Sequence, residues 1–168
     1  MKSLLLALAL ATAAPAALAQ TPPATATLPT HLPSPAPAYG PPIALETAQA
    51  LIERAVVYGA SNGWRLAIAI VEPSGELVAF ARMDDTQYGS IEVAQRKAET
   101  AARYRIQTAL MEERVQAGRI VTLANPEAFA IAGGVPIVVD GRIIGAIGVS
   151  GATAAEDART ALAALAGD

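Results

Sequence analysis

A glycine-rich stretch, GGVPIVVDGRIIGAIGVSG at residues 133–151, constrains the fold of this chain more than any other feature. Two runs of β-branched residues flank Asp140-Gly141. An Asp-Gly pair between such runs is typical of a two-residue hairpin turn, because both residues tolerate a positive φ. The stretch therefore predicts two antiparallel strands, Val135–Val139 and Arg142–Val149.

Gly145 and Gly148 lie inside the second of these strands. Glycine within a strand permits the close approach of another backbone, a helix or a flat ligand. The two glycines are three positions apart, so they face opposite sides of the sheet. One can admit a packed helix and the other a ligand or a partner subunit, and the spacing favours packing over ligand binding.

Two functional interpretations of the same stretch, a serine nucleophile and a phosphate-binding loop, are weaker. Residues 148–152 (GVSGA) resemble a nucleophile elbow, but a serine hydroxyl needs a base, and nothing in the sequence places Lys97 beside Ser150. The only histidine is His31, which lies in the proline-rich segment that precedes the predicted domain. The glycine spacing matches neither the dinucleotide fingerprint nor the Walker loop, and Glu156 would compete with an anion for the following helix start.

Helical and strand patterns alternate through the rest of the domain. Apolar spacing, caps and turns predict helices at residues 45–60, from a Ser90 cap onward, at 108–117 and from a Thr153–Glu156 capping box, and strands at 64–71, 77–83 and 128–131. Residues 119–127 are predicted to be a loop. The order αββααβββα, with short links between strands, predicts a single α/β domain with a central antiparallel sheet of about five strands flanked by helices.

The N-terminus is predicted to be removed. Residues 1–19 combine a lone Lys2, an apolar run and a small-x-small end at Ala17-Leu18-Ala19, which is the pattern of a secretory signal peptide. Residues 20–42 are rich in proline and alanine, which predicts a flexible tether, and residues 43–168 form the domain. We therefore expect an exported protein, periplasmic or secreted, with no membrane span, since no later apolar run reaches ~18 residues.

Charge and cysteine content exclude several functions. The formal net charge is −3 and the basic residues are scattered, which argues against nucleic acid as a partner. The chain has no cysteine, so thiolate metal sites and iron–sulfur clusters are excluded. The sequence predicts no metal-ligand cluster.

Residues 43–166 resemble the haem-binding GlcG/HbpS family, also described as the domain related to the C-terminal part of PduO. The resemblance is carried by four motifs: LETAQALIERAV, NGWRLAIAIVEPSGELVAFARMDD, AQRKAETAA and AGGVPIVVDGRIIGAIGVSGATAAEDA. It implies an α/β fold with a central antiparallel sheet, assembly into a homo-oligomer, and binding of haem or a related tetrapyrrole in several members.

By position, the resemblance carries over the polar residues Arg82 and Asp84 at the end of the second strand, Lys97 on the second helix, and Glu156-Asp157 at the start of the last helix. We expect the ligand-binding residues to be Arg82, Asp84, Tyr88, Lys97, Gly134 and Pro136. Arg82 and Lys97 would pair with ligand carboxylates such as haem propionates. Two alternatives stay open, namely that Arg82 pairs with Asp84, and that Lys97 lies on a solvated helix face.

Iron ligation is the point at which the chain departs from a typical haem protein. The predicted domain contains no histidine and no cysteine. The remaining residues able to ligate haem iron are Tyr58, Met83, Tyr88, Tyr104 and Met111. Tyr88 is the preferred candidate, because it lies in a loop just after the Arg-Met-Asp segment.

Three functions are compatible with these residues. The first is an exported protein that binds haem or another tetrapyrrole. The second is an enzyme acting on a small organic acid or aromatic compound, in which Arg82 holds a carboxylate and Asp84 or Glu72 moves a proton. The third is an assembly module without a ligand, in which the glycine-rich hairpin serves only the packing of subunits.

Overall fold

The structure, a computed structural model, describes residues 35–167. The predicted signal peptide and most of the proposed tether lie outside these residues. The elements along the chain are β1 (Ala38–Tyr39), α1 (Leu45–Ser61), β2 (Ala67–Val71), β3 (Leu77–Arg82), α2 (Gly89–Tyr104), α3 (Thr108–Gln116), the 3-10 helix η1 (Ile120–Ala124), β4 (Gly134–Val139), β5 (Arg142–Ser150) and α4 (Ala154–Ala166). The predicted α/β domain with a five-stranded sheet flanked by helices is confirmed.

The sheet is built around β5. Strand β4 pairs with β5 along one edge, and β2 pairs with the last five residues of β5 along the other, both antiparallel. Strand β3 continues the sheet beyond β2, also antiparallel. The short strand β1 runs parallel to β5 at Arg142 and Ile143, which β4 also contacts, so β1 lies on the same edge of β5 as β2.

The fifth strand is not where the sequence predicted it. Residues 128–131 form no strand, and β1 supplies the fifth strand from the end of the proposed tether. Side chains take the backbone donors around 128–131: Phe129 N donates to Thr100 Oγ1 at 2.9 Å and Ala132 N donates to Glu112 Oε2 at 2.7 Å. These donors are therefore not used in a strand ladder.

The N-terminal part of the described chain is fastened to the domain. Tyr39 Oη donates to the carbonyl oxygens of Ala102 and Arg103 at 3.1 and 2.9 Å, at the end of α2. The guanidinium carbon of Arg105 lies 5.5 Å from the centre of the Tyr39 ring. Residues 38–39 are therefore held by side chains as well as by pairing with β5.

The predicted Asp-Gly hairpin is present. Asp140 and Gly141 have φ values of 49° and 71°, and Val139 pairs directly with Arg142. Two successive positive φ values are the geometry of the two-residue turn that suits twisted antiparallel strands. This hairpin supplies the central strand of the sheet and the neighbouring edge strand.

Helices cover both faces of the sheet. Helices α1 and α4 pack on one face against the larger apolar cluster, which includes Leu66, Ile68, Ile70, Val135, Ile147 and Val149. Helix α2 covers the other face through Ala94, Ala98, Ala101 and Ala102. A Cβ atom at Gly148 would overlap the carbonyl oxygen of Ala94, so glycine lets α2 lie directly on β5. A Cβ atom at Gly145 would likewise overlap the carbonyl oxygen of Val71 on the neighbouring strand β2, so packing explains both glycines.

Among residues 35–167, no helix has the length and the apolar content needed to cross a membrane.

Candidate functional site

Two of the predicted site residues meet where β3 ends and α2 begins. Arg82 is the last residue of β3, and Tyr88 immediately precedes α2. The guanidinium carbon of Arg82 lies 5.1 Å from the centre of the Tyr88 ring, which is the distance of a cation–π contact. Tyr88 is 80% exposed. The site therefore presents an aromatic ring, a phenol oxygen and a positive charge to solvent.

Two hydrogen bonds to one carbonyl oxygen, that of Leu66, hold the loop between Arg82 and Tyr88 against the domain. Thr86 is buried, and its hydroxyl donates to the carbonyl oxygen of Leu66 at 3.2 Å. Met83 N donates to the same carbonyl at 2.9 Å. Asp85 takes a φ of 62°, which reverses the chain between these two anchors. Both hydrogen bonds are accepted by Leu66, the residue before β2, so the loop holds Tyr88 next to the end of β3.

A shallow cleft of about 600 Å³ runs from Tyr88 along the outer side of α2. Its lining includes Ile91, Glu92, Gln95, Arg96 and Glu99. Arg96 adds a second guanidinium to this surface. Its Nη2 donates a hydrogen bond to the carbonyl oxygen of Pro126 at 3.0 Å. The sequence reasoning missed Arg96, although it stands two helical turns after Tyr88 and therefore on the same side of α2.

Asp84 lies apart from the Arg82–Tyr88 contact. It is exposed and lines a different groove of about 460 Å³ with Val56, Arg65 and Met83. Within the described residues 35–167, Arg82 and Asp84 do not form an ion pair, so the pairing considered from sequence is not seen. Of Arg82 and Asp84, only Arg82 contacts Tyr88.

Lys97 is buried, which corrects the alternative that placed it on a solvated helix face. Its side chain is 1% exposed, because it points from α2 into the domain. Nζ donates to Asp157 Oδ2 at 2.7 Å and to the carbonyl oxygen of Val149 at 2.9 Å. Gly133, with a φ of 129°, passes beside this ammonium, and a Cβ atom there would lie 2.8 Å from Nζ.

Asp157, in the first turn of α4, completes this buried pair. Its Oδ1 accepts a hydrogen bond from Ala152 N at 3.0 Å. Burial raises the pKa of the Asp157 carboxyl and lowers the pKa of the Lys97 ammonium, while the attraction between the two groups opposes both shifts. The pair therefore ties α2 to the start of α4, and the ammonium already has two partners inside the domain.

Gly134 and Pro136 have packing roles on the edge strand β4. A Cβ atom at Gly134 would overlap the carbonyl group of Lys97, so glycine lets β4 pass under α2. Gly134 N donates to Thr108 Oγ1 at 2.9 Å, away from β5. Pro136 is two residues further along the strand, so its nitrogen also points away from β5. Proline has no backbone proton to donate, and at this edge of the sheet none is needed. Neither residue lines the Tyr88 cleft.

The start of α4 does not offer a serine nucleophile or an empty anion site. Ser150 Oγ donates a hydrogen bond to Ser90 Oγ at 3.1 Å, and in the described part of the chain its hydrogen-bond partner is therefore a hydroxyl and not a base. The prediction that Ser90 caps α2 is wrong, since α2 begins at Gly89 and Tyr88 precedes it. Thr153 and Glu156 form the predicted capping box, in which Glu156 Oε2 accepts from Thr153 N at 3.0 Å. The Glu156 carboxylate thus occupies the position that an anion would take.

The other residues able to ligate iron are less accessible than Tyr88. Tyr104 Oη accepts a hydrogen bond from Asn125 Nδ2 at 2.6 Å, and Tyr58 packs beside Trp64 with ring centres 6.1 Å apart. Met111 is buried. Within the described part of the chain, no three His, Asp or Glu side chains lie close enough to hold a metal ion. Tyr88 is therefore the iron-ligand candidate that the fold presents most openly.

Comparison with known proteins decides the family. The family model described as haem degrading protein HbpS-like matches residues 43–166. The chain belongs to the HbpS-like family. It is similar to protein GlcG of Escherichia coli K12, with 42% identity over 105 residues that cover 62% of this chain and 78% of GlcG.

Solved structures of HbpS-like proteins share the fold. A double-mutant form of HbpS from Streptomyces reticuli superposes with a TM-score of 0.70 at 26% identity, covering 84% of this chain and 97% of that one. A crystal structure of a PduOC:heme complex superposes with a TM-score of 0.68 at 26% identity, covering 74% of this chain and 94% of that one. One of the fold's solved relatives is thus a haem complex.

Proposed function

We propose that this HbpS-like protein is exported and binds haem or a related tetrapyrrole against Tyr88, with Arg82 holding a ligand carboxylate. The observation that carries the proposal is the Arg82–Tyr88 contact of 5.1 Å beside an open cleft. The haem complex of the related PduOC supports the ligand class. The arrangement combines a flat aromatic surface with a fixed positive charge.

The residues present fit a haem group. The described domain has no histidine or cysteine, and tyrosine is an established protein ligand of haem iron. Arg82 and Arg96 are planar donors that match carboxylates such as propionates. Ile91, next to Tyr88 in the cleft, adds apolar contact. When bound, haem would supply an iron centre; the chain's own residues would bind the ring and orient it.

Binding is tested by titrating haemin into the processed protein and following the Soret band. We expect Tyr88→Phe to change the position of the band and to weaken binding at least tenfold, because the ring remains but the phenol oxygen is lost. Arg82→Ala is expected to weaken binding about twofold to fivefold, since an exposed charge pair contributes about 0–1 kcal/mol.

His31→Ala is the matched control. His31 lies outside the described residues, and we expect its replacement to leave the titration unchanged, because ordering a proline-rich segment to reach iron costs conformational entropy. A loss of binding in this variant alone would contradict the assignment to Tyr88. No saturable binding in any variant would exclude haem and favour a small organic acid held by Arg82.

Export is the second part of the proposal. The pattern of residues 1–19 supports cleavage after Ala19, which would leave Gln20 as the first residue of the exported protein. Mass spectrometry of protein recovered from outside the cytoplasm is expected to give the mass of residues 20–168. Recovery of the chain with residues 1–19 retained would show that export by cleavage does not occur.

A further inference from the structure

Strand β3 forms an open edge of the sheet. Among the described residues it pairs with β2 alone and is the last strand on that side. Met83 N, just after β3, donates to the carbonyl oxygen of Leu66. Because backbone groups alternate in direction along an antiparallel ladder, those of Phe80 point away from β2. Within residues 35–167, no hydrogen bond outside the ladder involves the Phe80 backbone. The edge therefore offers backbone donors and acceptors to a further strand.

The sequence of this edge does not discourage pairing. Residues 77–81 read LVAFA, without a charged residue or a proline. Exposed edges are commonly protected by such residues. A groove of about 490 Å³ lies between β3 and α1, and its lining includes Leu45, Ile52 and Val78. A strand added here would gain apolar contact as well as backbone hydrogen bonds.

The described chain begins close to the start of this edge. Arg105 Nη1 donates to the carbonyl oxygen of Pro37 at 3.4 Å, at the C-terminal end of α2. Two residues earlier on the same helix, Arg103 Nε donates to the carbonyl oxygen of Ser74 at 2.7 Å. Ser74 lies in the turn that leads into β3. The segment before residue 35 therefore joins the domain near the first residues of β3.

This preceding segment contains one run with the composition of a strand. Residues 24–28 read ATATL, lie between Pro23 and Pro29, and are the longest run without proline between residues 20 and 37. They lie outside the described residues. Threonine favours strands, whereas proline is confined to strand ends and edges. Leu28 is seven positions before Pro35, a length of chain that spans up to about 23–25 Å when extended. The run can therefore reach the start of β3.

We propose that residues 24–28 add to the open edge of β3 as a strand of the same chain. Leu28 lies at the end tethered near the start of β3, so the added strand runs antiparallel to β3. It exchanges backbone hydrogen bonds with Phe80. Alternation places Ala26 and Leu28 on one face and the two threonines on the other, so the apolar face lies over the groove beside α1.

The added strand covers an edge that a strand of another protein would otherwise find unpaired. It leaves the candidate ligand site accessible, because the Tyr88 cleft runs along α2 and adjoins the other end of β3. His31 would lie in the connection at the start of β3, away from Tyr88. The proposal does not depend on haem and is tested on the protein without ligand.

Amide hydrogen exchange of residues 20–168 tests the pairing. We expect the Phe80 amide to exchange about tenfold or more slowly in the wild type than in Ala26→Pro/Thr27→Pro, because one of two adjacent donors faces β3 in either register. Thr30→Pro/His31→Pro is the matched control, with two prolines in the connection. We expect it to keep the wild-type rate. Equal Phe80 rates in the wild type and in Ala26→Pro/Thr27→Pro would overturn the proposal.

A nitroxide label separates pairing within one chain from pairing between copies. The chain has no cysteine, so Thr27→Cys gives a single labelled position. We expect the label to broaden the amide signals of residues 79–82 in its own chain. In a mixture of labelled chain with unlabelled, nitrogen-15-enriched chain, we expect no broadening. Broadening in the mixture, or in the labelled chain at residues away from β3 only, would overturn the proposal.

Discussion

Replacement of Lys97 by methionine is expected to lower the free energy of unfolding by about 3–5 kcal/mol, because it leaves the buried Asp157 carboxylate without its partner. Methionine has nearly the length of lysine, so the loss reflects the charge and its hydrogen bonds more than an empty volume. Urea denaturation followed by circular dichroism measures the change through the midpoint of unfolding.

The double replacement Lys97→Met/Asp157→Leu separates the pair from its packing. Burial disfavours both charged forms, so two apolar side chains of similar volume are expected to recover most of the lost stability, or to exceed that of the wild type. A single variant that loses less than about 1 kcal/mol would mean that Lys97 and Asp157 do not tie α2 to α4.

Replacement of Gly148 by alanine is expected to destabilise the domain by about 3 kcal/mol, at the upper end of the usual cost of overpacking. The added methyl group would overlap the backbone of Ala94 and Ala98, so either α2 must move away from β5 or the strand must bend. The same urea experiment measures the loss.

Gly89→Ala is the control for this substitution. Gly89 begins α2, and a Cβ atom there would have no atom within 4 Å. We expect no loss of stability, because alanine is also the better helix former. Equal losses in the two variants would show that the close approach of α2 to β5 is not what requires glycine at position 148.

The elements that the sequence predicted well are those formed by neighbours in the chain. The turn at Asp140-Gly141 and the capping box from Thr153 to Glu156 depend on local backbone geometry, so their residues specify them directly. Strand β1 was missed because Ala38 and Tyr39 pair with β5, about a hundred positions away, in a segment whose proline content favours an extended tether. Its pairing depends on the folded domain.

The candidate site shows the same division. Arg82 and Tyr88 are six residues apart, so the short loop between them brings together the arginine implied by the family resemblance and the iron-ligand candidate that follows it. The burial of Lys97 depends on Asp157, which is 60 positions away. A signal was nevertheless present, since Lys97 stands between Ala94 and Ala101 on the side of α2 that packs against the sheet. A lysine on such a stripe needs a buried acidic partner.

The site assignment is tested most directly by a crystal structure of the processed protein grown with haemin. We predict a porphyrin against the outer start of α2, with its iron bonded to Tyr88 Oη and a propionate within hydrogen-bonding distance of the Arg82 guanidinium. A porphyrin bound elsewhere on the domain, or iron held by another residue while Tyr88 stays in solvent, would contradict it.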